Sequence, residues 1–198
     1  VKELYVYALS TSPRRSGNTE ILLDRVLEGV RASGIEVIKE VVSQKTINPC
    51  QGCNRCTIDG HCVQKDQMQE IYSHLLQAAG IILAAPIFSM HICAQAKVLI
   101  DRCQRFWAVK YVLKRPVVED ERLRSLRRGL FLSVCGRNQP ETFACVRPTI
   151  GYFFHVLEVE KWSRLEVAGV DEKGAIKGYP DALEQAYQSG LHLLEKSG

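Results

Sequence analysis

The chain has 198 residues, 46% of them hydrophobic and 24% charged, with a net charge of +4. That length suits one domain over residues 1–198. The charge is too small to argue for a nucleic-acid partner, and no helix–turn–helix or aromatic RNA-binding signature accompanies it. The longest apolar runs, such as "AAGIILAAPIF", fall well short of the ~20 residues that span a bilayer. "VKELYVYALS" is not a signal peptide, since no basic region precedes an apolar one and a cleavage site. The expectation is a cytoplasmic chain with neither a membrane nor a nucleic-acid partner.

In chain order, "LYVYALS" (Leu4–Ser10) is an uninterrupted apolar run, as expected of a strand buried on both faces. "NTEILLDRVLEGVRASG" places apolar residues at 21, 22, 23, 26, 27 and 30, a helical period, and stops at Gly34. "IEVIKEVV" alternates as a strand does. A cysteine-rich loop at 49–63 follows. "DQMQEIYSHLLQAAG" predicts a helix from Asp66 to Gly80, "IILAAP" a buried strand stopped by Pro86, and "AQAKVLIDRCQRFW" another helix. Residues 108–127 fit neither pattern, and 104–128 reads as a charged insertion. From Asp101 to Arg128 there are nine Lys/Arg against four Asp/Glu, a local excess of +5. A solvated face is the plain reading of that excess; a docking patch for an acidic partner or anionic substrate is the sharper one. "GLFLSVCG" is a strand. "PETFACVRPTIGYFFHVLE" is a helix that must bend or break at Pro148. "KWSRLEVAGV" is a fifth strand, and "YPDALEQAYQSGLHLLEKSG" is a closing helix.

Five strands alternating with helices predict a flavodoxin-like three-layer sandwich, with a parallel sheet in the order 2-1-3-4-5. Ligands of such sheets bind at the carboxyl ends of the strands, beside the reversal of strand order. The loops after strands 1, 3 and 4 therefore carry the expected chemistry.

After strand 1, "STSPRRSGNTE" offers the hydroxyls of Ser10, Thr11, Ser12, Ser16 and Thr19 and the cations Arg14 and Arg15, and leads into a helix N-terminus. Free N–H groups and a partial positive charge there favour an anion. Neither a G-x-G-x-x-G nor a G-K-[ST] motif is present, so the loop suits one phosphate rather than a dinucleotide or a Walker site. The bland alternative is a capping turn with Ser16 or Asn18 at the N-cap. After strand 3, Pro86, Ile87, Phe88, Ser89 and Met90 can form a flat wall for a planar heterocycle, with His91 a weak candidate proton donor. After strand 4, Cys135 and Gly136 lie where the far edge of a ring would fall, with Cys135 a weak candidate redox thiol. Cys93, Cys103 and Cys145 sit in helix-patterned sequence and read as buried small hydrophobes.

Half of the eight cysteines fall in "CQGCNRCTIDGHC", spaced C-x2-C-x2-C-x5-C. Structural disulfides are not expected in a cytosolic chain. Structural zinc draws its ligands in pairs from separated segments, whereas three cysteines at x2 spacing match the run that wraps a [4Fe–4S] cube. Cluster, zinc and free or redox-active thiols all stand as readings of this loop.

"TSPRRSGNTE", "CQGCNRCTIDGHCVQKDQM" and "AAPIFSMHICAQAKVLIDR", in this order, resemble the iron–sulfur flavoprotein branch of the NAD(P)H-dependent FMN reductases, and the likeness runs to "VAGVDEKGAIKGYPDALEQAYQSG". The resemblance implies a flavodoxin-like fold and FMN, with phosphate contacts from Ser12, Arg14, Ser16, Asn18 and Thr19 and ring contacts from Pro86 to Met90 and around Cys135–Gly136. It implies a [4Fe–4S] cluster on Cys50, Cys53, Cys56 and Cys62. It also implies a homodimer or homotetramer in which the cluster of one subunit faces a neighbour's FMN, with a ferredoxin-type or NAD(P)H donor and a small-molecule acceptor. The segment "GRNQPETF" departs from the Gly-rich run usual after strand 4. The rival readings are an NAD(P)H-dependent FMN or quinone reductase without a cluster, and a non-enzymatic metal-stabilised binding or regulatory protein.

Overall fold

The computed structural model describes residues 3–195. Five parallel strands form one sheet: β1 (Tyr5–Ser10), β2 (Glu36–Val41), β3 (Gly80–Ala84), β6 (Arg128–Val134) and β7 (Lys161–Val167), in the order β2-β1-β3-β6-β7. That is the expected 2-1-3-4-5 order once a small hairpin, β4 (Ile87–Phe88) and β5 (His91–Ile92), is set apart as a separate antiparallel pair.

The pleat sends alternate side chains of each central strand to opposite faces. Tyr5, Tyr7 and Leu9 of β1, with Ile81 and Leu83 of β3, belong to one core. Helices α3 (Met68–Gln77), α4 (Ala94–Arg102) and α7 (Arg147–Val156) cover it. Val6, Ala8, Ile82, Ala84, Leu130 and Leu132 belong to the other core, beneath α1 (Asn18–Ala32) and α8 (Pro180–Leu191). Helix α1 rests on α8 through two glycines: a Cβ at Gly190 would lie 1.9 Å from the Val26 carbonyl oxygen, and one at Gly29 would lie 2.1 Å from that of Tyr187. The layer covering this face is therefore closed by backbone touching backbone.

Several predicted elements differ in extent. The helix expected from Asp66 starts at Met68, whose N–H donates to the Asp66 carboxylate at 3.1 Å, so Asp66 lies just ahead of the helix and takes up one of its free N–H groups. Gly80 does not end that helix; it opens β3, where a Cβ would lie 2.7 Å from a Val6 methyl. The helix expected over 94–107 breaks at Cys103 into α4 and the short α5 (Gln104–Trp107), and continues as a π-helical turn over Ala108–Val112. The ambiguous segment ends in α6 (Glu121–Leu126), capped by Asp120 through the Leu123 N–H. The helix expected from Pro140 is a 3-10 turn over Pro140–Phe143, and α7 begins afresh at Arg147 with Pro148 in its first turn, where a missing N–H costs nothing. The closing helix runs to Leu191, and residues 196–198 of that prediction lie outside the described residues.

The basic segment is only partly the solvated face expected. Arg102, Arg105 and Arg127 are buried. Arg127 donates to the carbonyls of Leu157 (2.6 Å) and Leu75 (2.5 Å), and burial pushes its guanidinium down to about 10. Cys93 and Cys103 are buried as expected, but Cys145 is exposed, because the turn preceding α7 carries it to the surface.

Candidate functional site

Two sites emerge. The first is a cavity at the carboxyl ends of β1, β3 and β6. Ser12, Arg14, Asn18 and Thr19 line its one side, with Gly17. Pro86, Ile87 and Phe88 line another, and Val134, Gly136, Val170 and Asp171 complete it.

The loop after β1 is held from both ends. Thr11 donates through its hydroxyl to the Ala84 carbonyl at 2.8 Å, tying the loop to the end of β3. Ser12 Oγ accepts from the Arg14 N–H at 3.2 Å. Ser16 adopts φ 51°, and its N–H donates to the Glu20 carboxylate at 2.6 Å. Burial alone would raise the Glu20 carboxyl, but the Ser16 N–H and the Lys39 ammonium outweigh it and hold the group below its ordinary value. Gly17 occupies the N-cap position without any side-chain cap bond, so neither Ser16 nor Asn18 plays the capping role weighed above. The first intrahelical bond runs from the Ile21 N–H to the Gly17 carbonyl. The N–H groups of the first turn, at 18–20, are thus the orphan donors of the helix start.

Two of the expected contacts divide in role. The Asn18 side chain is fully engaged within the protein, donating to the carbonyls of Val170 (3.3 Å) and Glu172 (2.8 Å) and accepting from the Ile176 N–H (3.3 Å). It pins the loop after β7 and leaves its backbone N–H to the cavity. Thr19 is a nearly buried residue that lines the cavity, and its hydroxyl, open to the cavity, has no hydrogen-bond partner among the described residues. Arg14 Nη1 donates to the Asp171 carbonyl at 3.1 Å, which closes the loop after β1 onto the loop after β7.

The hairpin sets the second wall. Ser89 and Met90 form its turn with φ of 49° and 66°, a left-handed conformation that residues with a Cβ seldom adopt. Phe88 and Met90 are each more than two-fifths exposed, and Met90 Sδ lies 3.5 Å from Arg137 Nη1. His91 stands across the hairpin from Phe88. At Gly136 a Cβ would lie 2.8 Å from Asp171 Oδ1, so the backbone passes close to the loop after β7. Of the residues expected here, Ser10, Ser16, Ser89, Met90, His91 and Cys135 do not line the cavity. Ser10 is the buried end of β1, and Cys135 is buried with its backbone bonded to Val167 and Val170. Sequence reasoning missed Val134, Val170 and Asp171. The signal for the last two lay in "AGVDEKG", where Gly169 and Gly174 both take positive φ at a strand-to-helix turn.

The second site is the cysteine loop. Cys50, Cys53, Cys56 and Cys62 all line one small cavity. Gly52 and Gly60 take positive φ, and Asn54 shares that conformation, which lets the loop coil back on itself. Burial pushes the Cys56 thiol up, and the nearby Cys62, Cys50 and Cys53 add to that. Among the described residues, no three His, Cys, Asp or Glu groups are placed to hold a single metal ion. The donor set of four thiols facing one cavity is nevertheless the one a cube requires. Three arginines from the basic segment reach back to this loop. Arg102 donates to Cys62 Sγ (3.5 Å), Arg105 to the Gly60 carbonyl (2.9 Å) and Arg115 to the Asp59 carbonyl (3.1 Å). Sequence reasoning missed all three, because the charge excess gave no sign of direction.

A five-stranded parallel sheet with an anion-ready loop at its switch point defines a flavodoxin-like protein, and this is the fold of its structural neighbours. The NAD(P)H:quinone oxidoreductase from Methanothermobacter marburgensis superposes with a TM-score of 0.74 at 15% identity, over 100% of this chain and 99% of its own. An FMN-dependent NADH-azoreductase from Bacillus anthracis gives 0.64 at 12% identity, over 97% and 100%. The profile described as NADPH-dependent FMN reductase matches residues 4–143, so the chain belongs to that family and is an FMN-dependent oxidoreductase. Within the family it falls in the iron–sulfur flavoprotein branch. An iron–sulfur flavoprotein of Archaeoglobus fulgidus is 32% identical over 93% of this chain and 76% of its own length. One from Methanocaldococcus jannaschii is 35% identical over 78% and 72%. A second from that organism is 39% identical, over 49% of this chain and half of its own length. Among the described residues no helix is long and apolar enough to cross a membrane.

Proposed function

We propose that this chain is an electron-transfer flavoprotein in which FMN lies in the cavity after β1 and a [4Fe–4S] cluster is held by Cys50, Cys53, Cys56 and Cys62. The observation that carries the reading is that one chain holds both an anion-accepting helix start, with the unpaired Thr19 hydroxyl facing the same cavity, and four cysteines around another cavity. The first suits a phosphate monoester and the second suits an iron–sulfur cube. When bound, FMN takes up two electrons and releases them singly, and a cluster carries one, so the pair joins two-electron to one-electron partners.

The chain's own residues supply position and charge. The N–H groups at 18–20, Ser12 and Thr19 meet the phosphate, and Arg14 closes over it. Pro86, Ile87 and Phe88 give the ring an apolar wall, while the tight approach of Gly136 to Asp171 bounds its far side. Ser16, Ser89, Met90, His91 and Cys135 act from outside the cavity lining, through loop geometry rather than direct contact. The exposed Phe88 and Met90 at the cavity rim favour a homo-oligomer, dimer or tetramer, whose partner covers the flavin's open side. The donor is a ferredoxin-type protein or NAD(P)H and the acceptor a small molecule.

The second reading, an NAD(P)H-dependent FMN or quinone reductase with free thiols, is supported by the family match, which needs no cluster. Anaerobic reduction with NAD(P)H and, separately, with a reduced ferredoxin separates the two. The proposed function expects the ferredoxin to reduce the loaded protein and to fail once the cluster is removed; equal rates with and without iron would replace it with the second reading.

A further inference from the structure

The arginine at the end of α4 carries its charge into the interior. Arg102 has a fully buried side chain, paired with an Asp66 that is itself nearly buried. A buried ion pair is seldom more stable than a well-packed apolar pair of the same volume, because both charges lose their water. This pair, moreover, is incompletely compensated: among the described residues Arg102 Nε has no partner. The remaining nitrogens are aimed with care. Nη1 donates to the Asn48 carbonyl at 2.8 Å and to Asp66 Oδ2 at 2.5 Å. Nη2 donates to Asp66 Oδ1 at 3.1 Å and to Cys62 Sγ at 3.5 Å. The carboxylate holds the guanidinium plane through both oxygens, and the free edge of Nη2 is left to the sulfur. Asn48 stands just before the cysteine loop and Cys62 is its last cysteine, so one side chain fastens both of its ends.

The charge around the loop is one-sided. Arg55, Arg102 and Arg105 line the cysteine cavity, and among the described residues no carboxylate does. Arg105 is buried too, stacked 4.6 Å over the Tyr72 ring, with its Nε on the Gly60 carbonyl. Asp66 sits behind Arg102 and not in the cavity. Whatever the four sulfurs hold is met by cations on one side. A cube on four thiolates is an anion at both oxidation levels and more so after reduction, and nearby positive charge and hydrogen bonds to sulfur raise its potential.

We propose that Arg102, oriented by Asp66, is a positioning residue for Cys62: it ties the two ends of the cysteine loop together and sets a cation against the cluster that raises its reduction potential. This rests on the cluster reading above.

The test uses two variants of the whole chain, the neutral pair Arg102→Gln with Asp66→Asn, and Arg102→Lys, which keeps charge and loses the fork. Amide hydrogen exchange over residues 50–62 is read in the cluster-free chain. The cluster potential is read in the reconstituted chain by EPR-monitored titration, with the FMN potential as internal standard. In the neutral pair, exchange in the loop is expected to quicken by about tenfold or more, with α1 unchanged. Its one-electron equilibrium is expected to shift about tenfold toward the oxidised cluster, a fall of ~59 mV, with the FMN potential unmoved. Arg102→Lys is expected to quicken loop exchange and keep most of the potential, and it decides alone if the neutral pair does not fold. Wild-type exchange in the loop overturns the proposal, and so does a loaded neutral pair at the wild-type potential. A wild-type chain that takes up no iron sinks the cluster reading instead, and loop exchange in the variants still settles whether Arg102 fastens the loop.

Discussion

Replacing Thr19 with Val removes one hydroxyl and keeps the shape of the side chain. In the protein without flavin that hydroxyl faces the cavity and has no partner among the described residues, so its loss takes no bond from the fold. Stability should therefore change by less than ~0.5 kcal/mol, a shift of ~2 °C or less in a domain of this size. In the proposed function, the hydroxyl of the loaded protein donates to a phosphate oxygen in a partly water-excluded site. Hydrogen bonds to charged groups are worth ~1.5–3 kcal/mol, so the Kd for FMN should rise by about tenfold to a hundredfold. Riboflavin has no phosphate, and its affinity should not change. The assay is a titration of deflavinated protein by flavin fluorescence, with thermal unfolding alongside. Asn18→Ala is the contrast: its side chain holds the loop after β7 by three bonds, so it should lower stability by ~1–3 kcal/mol. If Thr19→Val weakens FMN and riboflavin equally, or neither, the phosphate does not lie at the start of α1.

Three other outcomes follow from the same structure. Cys56→Ser should lose the iron and its EPR signal and keep FMN, while Cys103→Ser, at a buried thiol that does not line the cysteine cavity, should alter neither cofactor; iron and flavin analysis of both variants decides. The carboxyl of Glu20 lies below its ordinary value of ~4.3, so its contribution is full above that value and is lost as pH falls through the folded one. FMN affinity should accordingly be flat through Glu20 at neutral pH and fall only once the pH drops below the ordinary carboxylate range, and Glu20→Gln should flatten the acid limb of the binding profile. Gly190→Ala places a methyl 1.9 Å from the Val26 carbonyl oxygen. It should force α8 away from α1, at a cost of ~2–3 kcal/mol read by denaturant unfolding.

The sheet and its order were legible because both-face burial writes unbroken apolar runs, and the runs at 4–10, 81–86 and 129–136 had no competing period. The phosphate loop was legible because its hydroxyls are contiguous and lie directly after a strand. The hairpin at 87–92 was not, because its turn puts Ser89 and Met90 at positive φ without the Gly or Asn that would announce it. Nor was the helix break at Cys103, since the apolar period runs straight through it and the π-helical turn follows from packing on the cysteine loop, where a Cβ at Gly60 would touch Val109 at 2.7 Å. The arginines of the basic segment could be counted in sequence but not aimed. Whether a guanidinium faces water or the Gly60 carbonyl depends on contacts some forty-five residues away along the chain.

The most direct test of the account is anaerobic purification and reconstitution, followed by flavin, iron, sulfide and zinc analysis of the same sample with its visible and EPR spectra. The account predicts one FMN per chain together with the iron and sulfide of one [4Fe–4S] cluster, and an EPR signal that appears on reduction. FMN with stoichiometric zinc, or FMN with four free thiols at Cys50, Cys53, Cys56 and Cys62 and no iron, contradicts it.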